Sequence, residues 1–448
     1  LDFWTYGCIN CLHMILVIEQ PEEKYAEELV VVGVHSAKFT NEGQTENIRE
    51  IVQRYEMKHP VINDFYFEEW GKYDSYRVNA SPTFVLIDPR GNLFAVQPGE
   101  IPFQAFDDVI GTMVRCFDAT DDIDRTPIAA INPELASAPP RALNFPGKVL
   151  ADADGGRLFI ADSVNHRLVI ADINSYEVLA TIGNGARGFT DGDYATAQFY
   201  KPQGMALSTD GTTLYVADTF NHTVRAVDLT AETVATVAGT GIQGTRRPSG
   251  TAFPALATNL RSPWALAFGD DDNTMYVAMA GTHQIWTLDL AAQSMRYVVG
   301  NGFEAQISTT LLDSELAQPS GLYFTDGDLY FADSESSTIR VADIDTDTVE
   351  VVSGTTENSL FTYGDVDGAP GESLLQHALG VTGDGEGIIF IADTYNNKIK
   401  QITTDGFETI TLTGGSAGFR DGTLAEARFH EPGGLSYADG RLFIADTN

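Results

Sequence analysis

Phe159-Ile160-Ala161-Asp162 recurs as Tyr215-Val216-Ala217-Asp218, Tyr276-Val277-Ala278-Met279, Tyr330-Phe331-Ala332-Asp333, Phe390-Ile391-Ala392-Asp393 and Phe443-Ile444-Ala445-Asp446. The fourth positions of successive copies lie 56, 61, 54, 60 and 53 residues apart. Each copy is an apolar strand running into a polar turn and then a second apolar strand. Strand starts such as Pro202-Gln203-Gly204, Pro263-Trp264-Ala265, Pro319-Ser320-Gly321 and Pro432-Gly433-Gly434 precede the copies. Valine-rich runs ending in glycine, such as Val234-Ala235-Thr236-Val237-Ala238-Gly239, close them. Four short strands per unit of roughly 40 to 60 residues is the blade period of a β-propeller. Solenoid coils repeat faster, and helical repeats need a 3.6-residue apolar spacing that is absent here. Counting from Asn144 predicts an all-β propeller of six blades over residues 144–448. The sixth blade is incomplete, with only Gly434–Tyr437 and Leu442–Ala445 as candidate strands, which leaves an open edge if the chain stops there.

Ahead of the repeat, residues 1–118 alternate strand and helix. Val30-Val31-Val32-Gly33-Val34 reads as a buried strand, and Glu46 to Lys58 as an amphipathic helix with Ile48, Ile51, Val52 and Tyr55 on one face. Thr83-Phe84-Val85-Leu86-Ile87 and Leu93-Phe94-Ala95-Val96 read as a hairpin around the turn Asp88-Pro89-Arg90-Gly91-Asn92. That order argues for an α/β sandwich. Residues 119–143 read as an acidic, proline-containing linker, with Asp121, Asp122, Asp124, Pro127, Pro133, Pro139 and Pro140. The chain is therefore multidomain: an α/β unit, a linker, then the propeller.

The 448 residues carry 27 Lys and Arg against 63 Asp and Glu, a net charge of −36. Such a field repels phosphate backbones and argues against a nucleic-acid partner. It reads as a solubility device, with a cationic partner as the alternative. No apolar run approaches the roughly 18 residues of a membrane helix. Three cysteines, Cys8, Cys11 and Cys116, are too few for a disulfide scaffold. Cys116, alone after the apolar stretch Val109 to Val114, reads as a buried, inert thiol. The chain opens at Leu1 without an initiator methionine and stops at Asn448 in mid-pattern, so it reads as part of a longer one. The compartment stays open, with the cytoplasm favoured and export allowed.

The repeated units resemble NHL repeats. Asp162-Ser-Val-Asn165-His166-Arg167-Leu168, Asp218-Thr-Phe-Asn221-His222 and Asp393-Thr-Tyr-Asn396-Asn397-Lys398-Ile399 fit that signature. So do Gly188-Phe189-Thr-Asp191-Gly192 and Gly418-Phe419-Arg-Asp421-Gly422. The third unit departs from it, with Met279 for Asp and Thr282-His283 for Asn-His; the fourth has Ser336-Ser337 there. The front end resembles thioredoxin: Leu1-Asp2-Phe3-Trp4 ends a strand, Cys8-Ile9-Asn10-Cys11 opens a helix, and Ala80-Ser81-Pro82-Thr83-Phe84 matches the cis-proline loop. The two in this order resemble the NHL-repeat-containing protein 2 family and its bacterial relatives.

The resemblance implies a thioredoxin-like domain at 1–118 and a thiol–disulfide oxidoreductase. A Cys-x-x-Cys pair at a helix start brings two sulfurs together, and free N–H groups with the helix dipole favour a thiolate on the first. Cys8 would attack a client disulfide and Cys11 would resolve the mixed disulfide. Half a zinc site and two structural thiols are the other readings; zinc needs two further ligands, and His13 reads as an ordinary helix residue. Ile9-Asn10 replaces the Gly-Pro of thioredoxin, so reductant and oxidant both stay open.

Asp2, six residues before Cys8, matches the buried aspartate that moves protons to and from the second cysteine; the alternative is a strand-end carboxylate facing solvent. Pro82, if cis, sets the Ser81 backbone opposite the thiols, ready to pair with an extended peptide; a trans proline in a plain loop is the alternative.

In the propeller, His166 and His222 fall within the repeat signature and read as structural. The aspartates after alanine read as acceptors of backbone hydrogen bonds across the turn. Asp270-Asp271-Asp272-Asn273 lacks a calcium-loop pattern. No cofactor or metal is expected. The partners implied are a protein or peptide thiol/disulfide client and an unidentified redox partner, with the propeller as a docking platform. A non-catalytic interaction scaffold is the alternative. A channel-metal lyase lacks a His, Asp or Glu cluster to carry it.

Overall fold

The computed structural model describes residues 1–73, 78–126, 141–245, 250 and 252–448. The chain divides into two compact units, Leu1–Pro140 and Arg141–Asn448. Most of the expected linker 119–143, including Pro127, Pro133, Pro139 and Pro140, lies outside the described residues.

In the first unit, β1 (Asp2–Trp4) leads through a short loop into α1 (Ile9–Lys24), followed by β2 (Gly33–His35), α2 (Thr45–Arg54), β3 (Val61–Asn63), α3 (Glu68–Tyr73), β4 (Thr83–Ile87), β5 (Leu93–Pro98) and α4 (Phe103–Asp118). The sheet order is β3-β2-β1-β4-β5. β2 runs parallel to β1 and β3, while β4 runs antiparallel to β1 and β5. Pairing starts only at Gly33, later than the expected Val30, which is 54% exposed. Ile48, Ile51, Val52 and Tyr55 are buried as the spacing predicts, but α2 stops at Arg54, because Glu56 takes a left-handed φ of 53°. One sheet face packs Phe3, Val34 and Val85 against Trp70 and Tyr73. On the other, Phe84 meets Met14 and Ile18 of α1 and Phe106 of α4. Asp2 pairs with Phe84 across β1 and β4 and so shares the face that α1 covers.

The second unit is a β-propeller. Among the described residues it holds five sheets of four or five strands and one two-stranded sheet, Pro432–Ala438 with Arg441–Asp446. Every successive pair of strands within a sheet is antiparallel, as tight turns require.

The repeated aspartate does more than close its own turn. Asp162, Asp218, Asp333, Asp393 and Asp446 each accept a backbone N–H from a residue 16 to 18 positions upstream, at 2.6–2.8 Å. The donors, Asn144, Tyr200, Ala317, Gln376 and His430, lie in the segment that enters the blade. The expected bond across the turn therefore becomes a clasp between blade entrance and second strand. Within the turn, Asn165, Asn221, Ser336 and Asn396 side chains donate to the same carboxylates.

Three of the carboxylates are paired with a cation seven residues on. Arg225 meets Asp218 at 2.8 Å, Arg340 meets Asp333 at 3.0 Å and Lys400 meets Asp393 at 3.4 Å, every one of these side chains fully buried. In the third sheet, where Met279 replaces the aspartate, Trp286 stands in place of the cation. Acid and base are exchanged together for two apolar side chains, which avoids an orphaned buried charge.

The turn residue that follows adopts a left-handed conformation in His166, His222, His283, Ser337 and Asn397, with φ between 52° and 56°. Its side chain accepts a backbone N–H from the next blade: Lys201, Ser262, Gln318, His377 and Glu431, respectively. The histidines of the signature are inter-blade staples. Among the described residues no three His, Cys, Asp or Glu side chains gather as a metal site.

The innermost strand of each sheet lines a central cavity of about 340 Å³. Small residues ring it, and there is no room for larger ones: a side chain at Gly204 would meet Ala265 Cα at 2.6 Å, and one at Gly434 would meet Lys148 Cα at 2.7 Å. Lys148 occupies the matching place in the first sheet. Its ammonium donates to the carbonyls of Leu379 and, at 2.8 Å, Gly433. Burial pushes its amine down to about 7.

Candidate redox site

Cys8 is the N-cap of α1, with φ −82° and ψ 114°. Its carbonyl already accepts the N–H groups of Cys11 and Leu12, at 3.0 and 3.1 Å, so the helix turns immediately after it. The open N–H groups and dipole of this first turn surround Cys8 with partial positive charge. Both cysteines are buried free thiols in this structure. Cys8 Sγ donates to the Ser81 carbonyl at 3.9 Å. The Ser81–Pro82 peptide is cis, and Pro82 is buried. Cys11 lies one turn deeper, with 1% exposure. Burial pushes its thiol well above its ordinary value, and its hydrogen bond with Cys8 and the nearby Asp2 charge push the same way.

Asp2 is 1% exposed, and neither carboxylate oxygen has a hydrogen-bond partner. Desolvation raises its carboxyl to about 7; His59 opposes the rise and Glu22 adds to it. Cys8, Cys11, Asp2 and Pro82 thus come together around the start of α1. His13 stands apart: its buried ring Nδ1 sits 2.7 Å from Oε1 of the half-buried Glu100.

Cys116 differs from expectation. It is exposed, because α4 buries Ile110 and Met113, and Cys116 falls off that face in the last turn.

Two further residues shape the site, neither of them signalled by a motif. The carboxylate of Glu42, fully buried, accepts Thr5 Oγ1 at 2.6 Å, Gly7 N at 2.8 Å, Lys38 N at 2.9 Å and Phe39 N at 3.0 Å. His35 Nε2 accepts Tyr6 N at 3.3 Å, and its ring lies between Trp4 and Tyr6 at centroid distances of 4.9 and 5.4 Å. Burial drives His35 down to about 3, so it is a neutral acceptor at physiological pH. Together they pin Thr5-Tyr6-Gly7, the loop that delivers Cys8.

A thioredoxin-like family model matches residues 1–93. NHL repeat-containing protein 2 of Gallus gallus is 36% identical across 100% of this chain and 65% of its own length. This chain belongs to the NHL repeat-containing protein 2 family. A second family relative, the chloroplastic protein SUPPRESSOR OF QUENCHING 1 of Arabidopsis thaliana, is 39% identical across 100% of this chain and 43% of its own length. The chain thus spans less than two thirds of these family members. The thiol–disulfide oxidoreductase YkuV of Bacillus subtilis is 22% identical over 22% of this chain and 65% of its own. Among the described residues, no helix is long and apolar enough to cross a membrane.

Proposed function

We propose that the chain is a thiol–disulfide oxidoreductase that uses Cys8 and Cys11. The observation that carries this reading is the juxtaposition at the start of α1: a thiol at the helix N-cap, a second thiol buried behind it, an unpartnered buried carboxylate and a cis-proline loop within reach of the first sulfur. Cys8 thiolate attacks one sulfur of a client disulfide; the client's other sulfur leaves with the electron pair. Cys11 gives its proton to Asp2 and attacks Cys8 Sγ, releasing the client's second sulfur. The client becomes a dithiol, the enzyme a Cys8–Cys11 disulfide, and two electrons have passed. A dithiol partner reverses the steps to restore the enzyme. The same path run backwards oxidises a client dithiol, and the direction follows from the partner's potential.

The name of one relative, thiol–disulfide oxidoreductase YkuV, supports this reading. We count the two-stranded sheet as a sixth blade, since it touches the first sheet through Lys148 and through Thr447 Oγ1 donating to the Pro146 carbonyl. We assign the propeller the role of docking the client or partner and set the domain limits at 1–118 and 144–448; the end of α4 at Asp118 and the start of the first sheet at Pro146 support them.

The test is turnover of a protein disulfide such as insulin with the full chain, alongside Cys8→Ser. Turnover by the wild type and none by Cys8→Ser is expected. Absence of exchange in both directions by the wild type refutes the proposal and leaves an interaction scaffold.

A further inference from the structure

Asp2 stands opposite Gly33 across β1 and β2. The space that a side chain at Gly33 would fill is bounded by Trp4 Nε1 at 3.0 Å and His59 Nε2 at 3.4 Å. Four buried polar atoms around this glycine have no hydrogen-bond partner: Asp2 Oδ1 and Oδ2, Trp4 Nε1 and His59 Nε2. Buried polar atoms are seldom left unpaired, and a cluster of them beside a thiol pair marks a place where protons change hands. The other nitrogen of His59 is engaged. Nδ1 lies 3.1 Å from Glu22 Oε1, and the Glu22 side chain is 17% exposed. Glu22 therefore holds the Nδ1–H tautomer and leaves Nε2 as an acceptor. His59 and Glu22 thus lead from the space beside Gly33, which stands opposite Asp2, to a partly exposed carboxylate.

We propose that His59, oriented by Glu22, is the proton-exchange partner of Asp2, carrying the base's proton to and from solvent. The inference rests on the oxidoreductase reading above. During resolution, the Cys11 S–H proton moves to the Asp2 carboxylate as the Cys11–Cys8 bond forms and the client thiolate departs. The Asp2 O–H then protonates His59 Nε2, His59 releases its Nδ1 proton to Glu22, and Glu22 loses it to water. In the reverse reaction each transfer runs backwards. The groups facing Asp2 are Cys11 and Glu22 on α1, His59 ahead of β3 and the amino group of Leu1. Among them His59 has the unpartnered ring nitrogen in the same pocket. It acts through Asp2 and is a positioning residue.

The test uses the full chain, with Cys8 charged as its mixed disulfide with 5-thio-2-nitrobenzoate. Release of the coloured thiolate reads attack by Cys11 and is followed in single turnover across pH 5 to 9. Wild type, His59→Gln and His59→Asn are compared, with retention of helical circular dichroism as the folding control. Loss of His59, which opposes the rise of Asp2, is expected to move the midpoint of the release profile upward by about one pH unit. That slows release up to about tenfold below the midpoint and leaves it unchanged at pH 9. The Asp2 carboxyl, followed by carbon NMR of aspartate-labelled protein and assigned with Asp2→Asn, moves in parallel. Profiles and titrations unchanged in both histidine variants overturn the proposal. If the wild type releases no thiolate at any pH, the oxidoreductase reading falls instead. The carboxyl titration then still judges His59, and an unmoved Asp2 overturns the coupling.

Discussion

Replacing Asp2 by asparagine makes the chain more stable and less reactive, and the first effect can be sized. The Asp2 carboxyl has an ordinary value of 3.8 and is lifted to about 7 by burial. An unfolded chain ionises this group near 3.8, while the folded chain keeps its proton to about 7. Between those values the folded form binds more protons, so stability falls as pH rises through the window and levels off above it. About three pH units at ~1.36 kcal/mol each amount to roughly 4 kcal/mol, the upper limit of what ionised Asp2 costs at pH 8. Asparagine stays neutral. Asp2→Asn is therefore expected to raise the unfolding free energy by up to about 4 kcal/mol at pH 8 and by little near pH 4. The assay is guanidinium unfolding of the full chain, followed by far-ultraviolet circular dichroism. The long helices α1, α2 and α4 all belong to the first unit, so the helical signal reports on it. Resolution by Cys11 slows by about a hundredfold or more in the same variant, the usual worth of a general base. An equal stability gap at pH 4 and pH 8, or a wild type more stable than the variant at pH 8, refutes the reasoning.

Two further perturbations probe the scaffold. Asp218→Met deprives Tyr200 N, the Asn221 amide and the Arg225 guanidinium of their shared acceptor, and is expected to destabilise the propeller by about 3–5 kcal/mol. Adding Arg225→Trp copies the Met279–Trp286 arrangement of the third sheet and returns at least about 1 kcal/mol of that loss; urea unfolding followed by tryptophan fluorescence decides, and no recovery counts against the exchange of acid and base as a pair. Glu42→Gln cannot accept four hydrogen bonds, so it is expected to cost about 2–4 kcal/mol and to speed hydrogen exchange at Gly7 and Phe39, with unchanged exchange there speaking against Glu42 as the pin of the Cys8 loop.

Much of the fold was legible because both halves repeat or alternate in ways that chemistry enforces. The apolar pair before each Ala-Asp sits in a central strand that must be buried on both faces, and the residues at the turn must reach a left-handed conformation. These demands recur every blade and print a period. The Cys8-Ile9-Asn10-Cys11 motif was legible for a similar reason: an i, i+3 pair has one geometry at a helix start. What the sequence does not display acts across long sequence separations. Glu42 reaches Gly7 from 35 residues away, and His59 meets Glu22 from 37. A single buried acid or imidazole carries no pattern. The upstream donors to the repeated aspartates were hidden because a backbone N–H has no side-chain signature. The exposure of Cys116 is not legible because an apolar stretch does not say which side of a helix is covered. At Met279 the departure from the repeat was visible, but its compensation by Trp286 was not, since only the folded sheet sets them against each other.

Lys148 gives the propeller a timetable. Its carbonyl partners lie 231 and 285 residues further along the chain. At ~5–20 residues per second, a ribosome takes roughly 15–60 s to supply the second of them after making the lysine. For that interval the ammonium stays in water, where it is well solvated, and the flank of the first sheet lacks Phe443, which later packs against Leu158 and Ile173. Each intermediate blade except the third, which has Met279, can clasp its own entrance through its aspartate as soon as it emerges, but the contact between the first and last sheets cannot form early. A cell making this chain must shelter one unpaired sheet flank for most of the time the propeller takes to be born. Lys148 therefore gives up its water for the Gly433 carbonyl only after the chain has grown 285 residues past it.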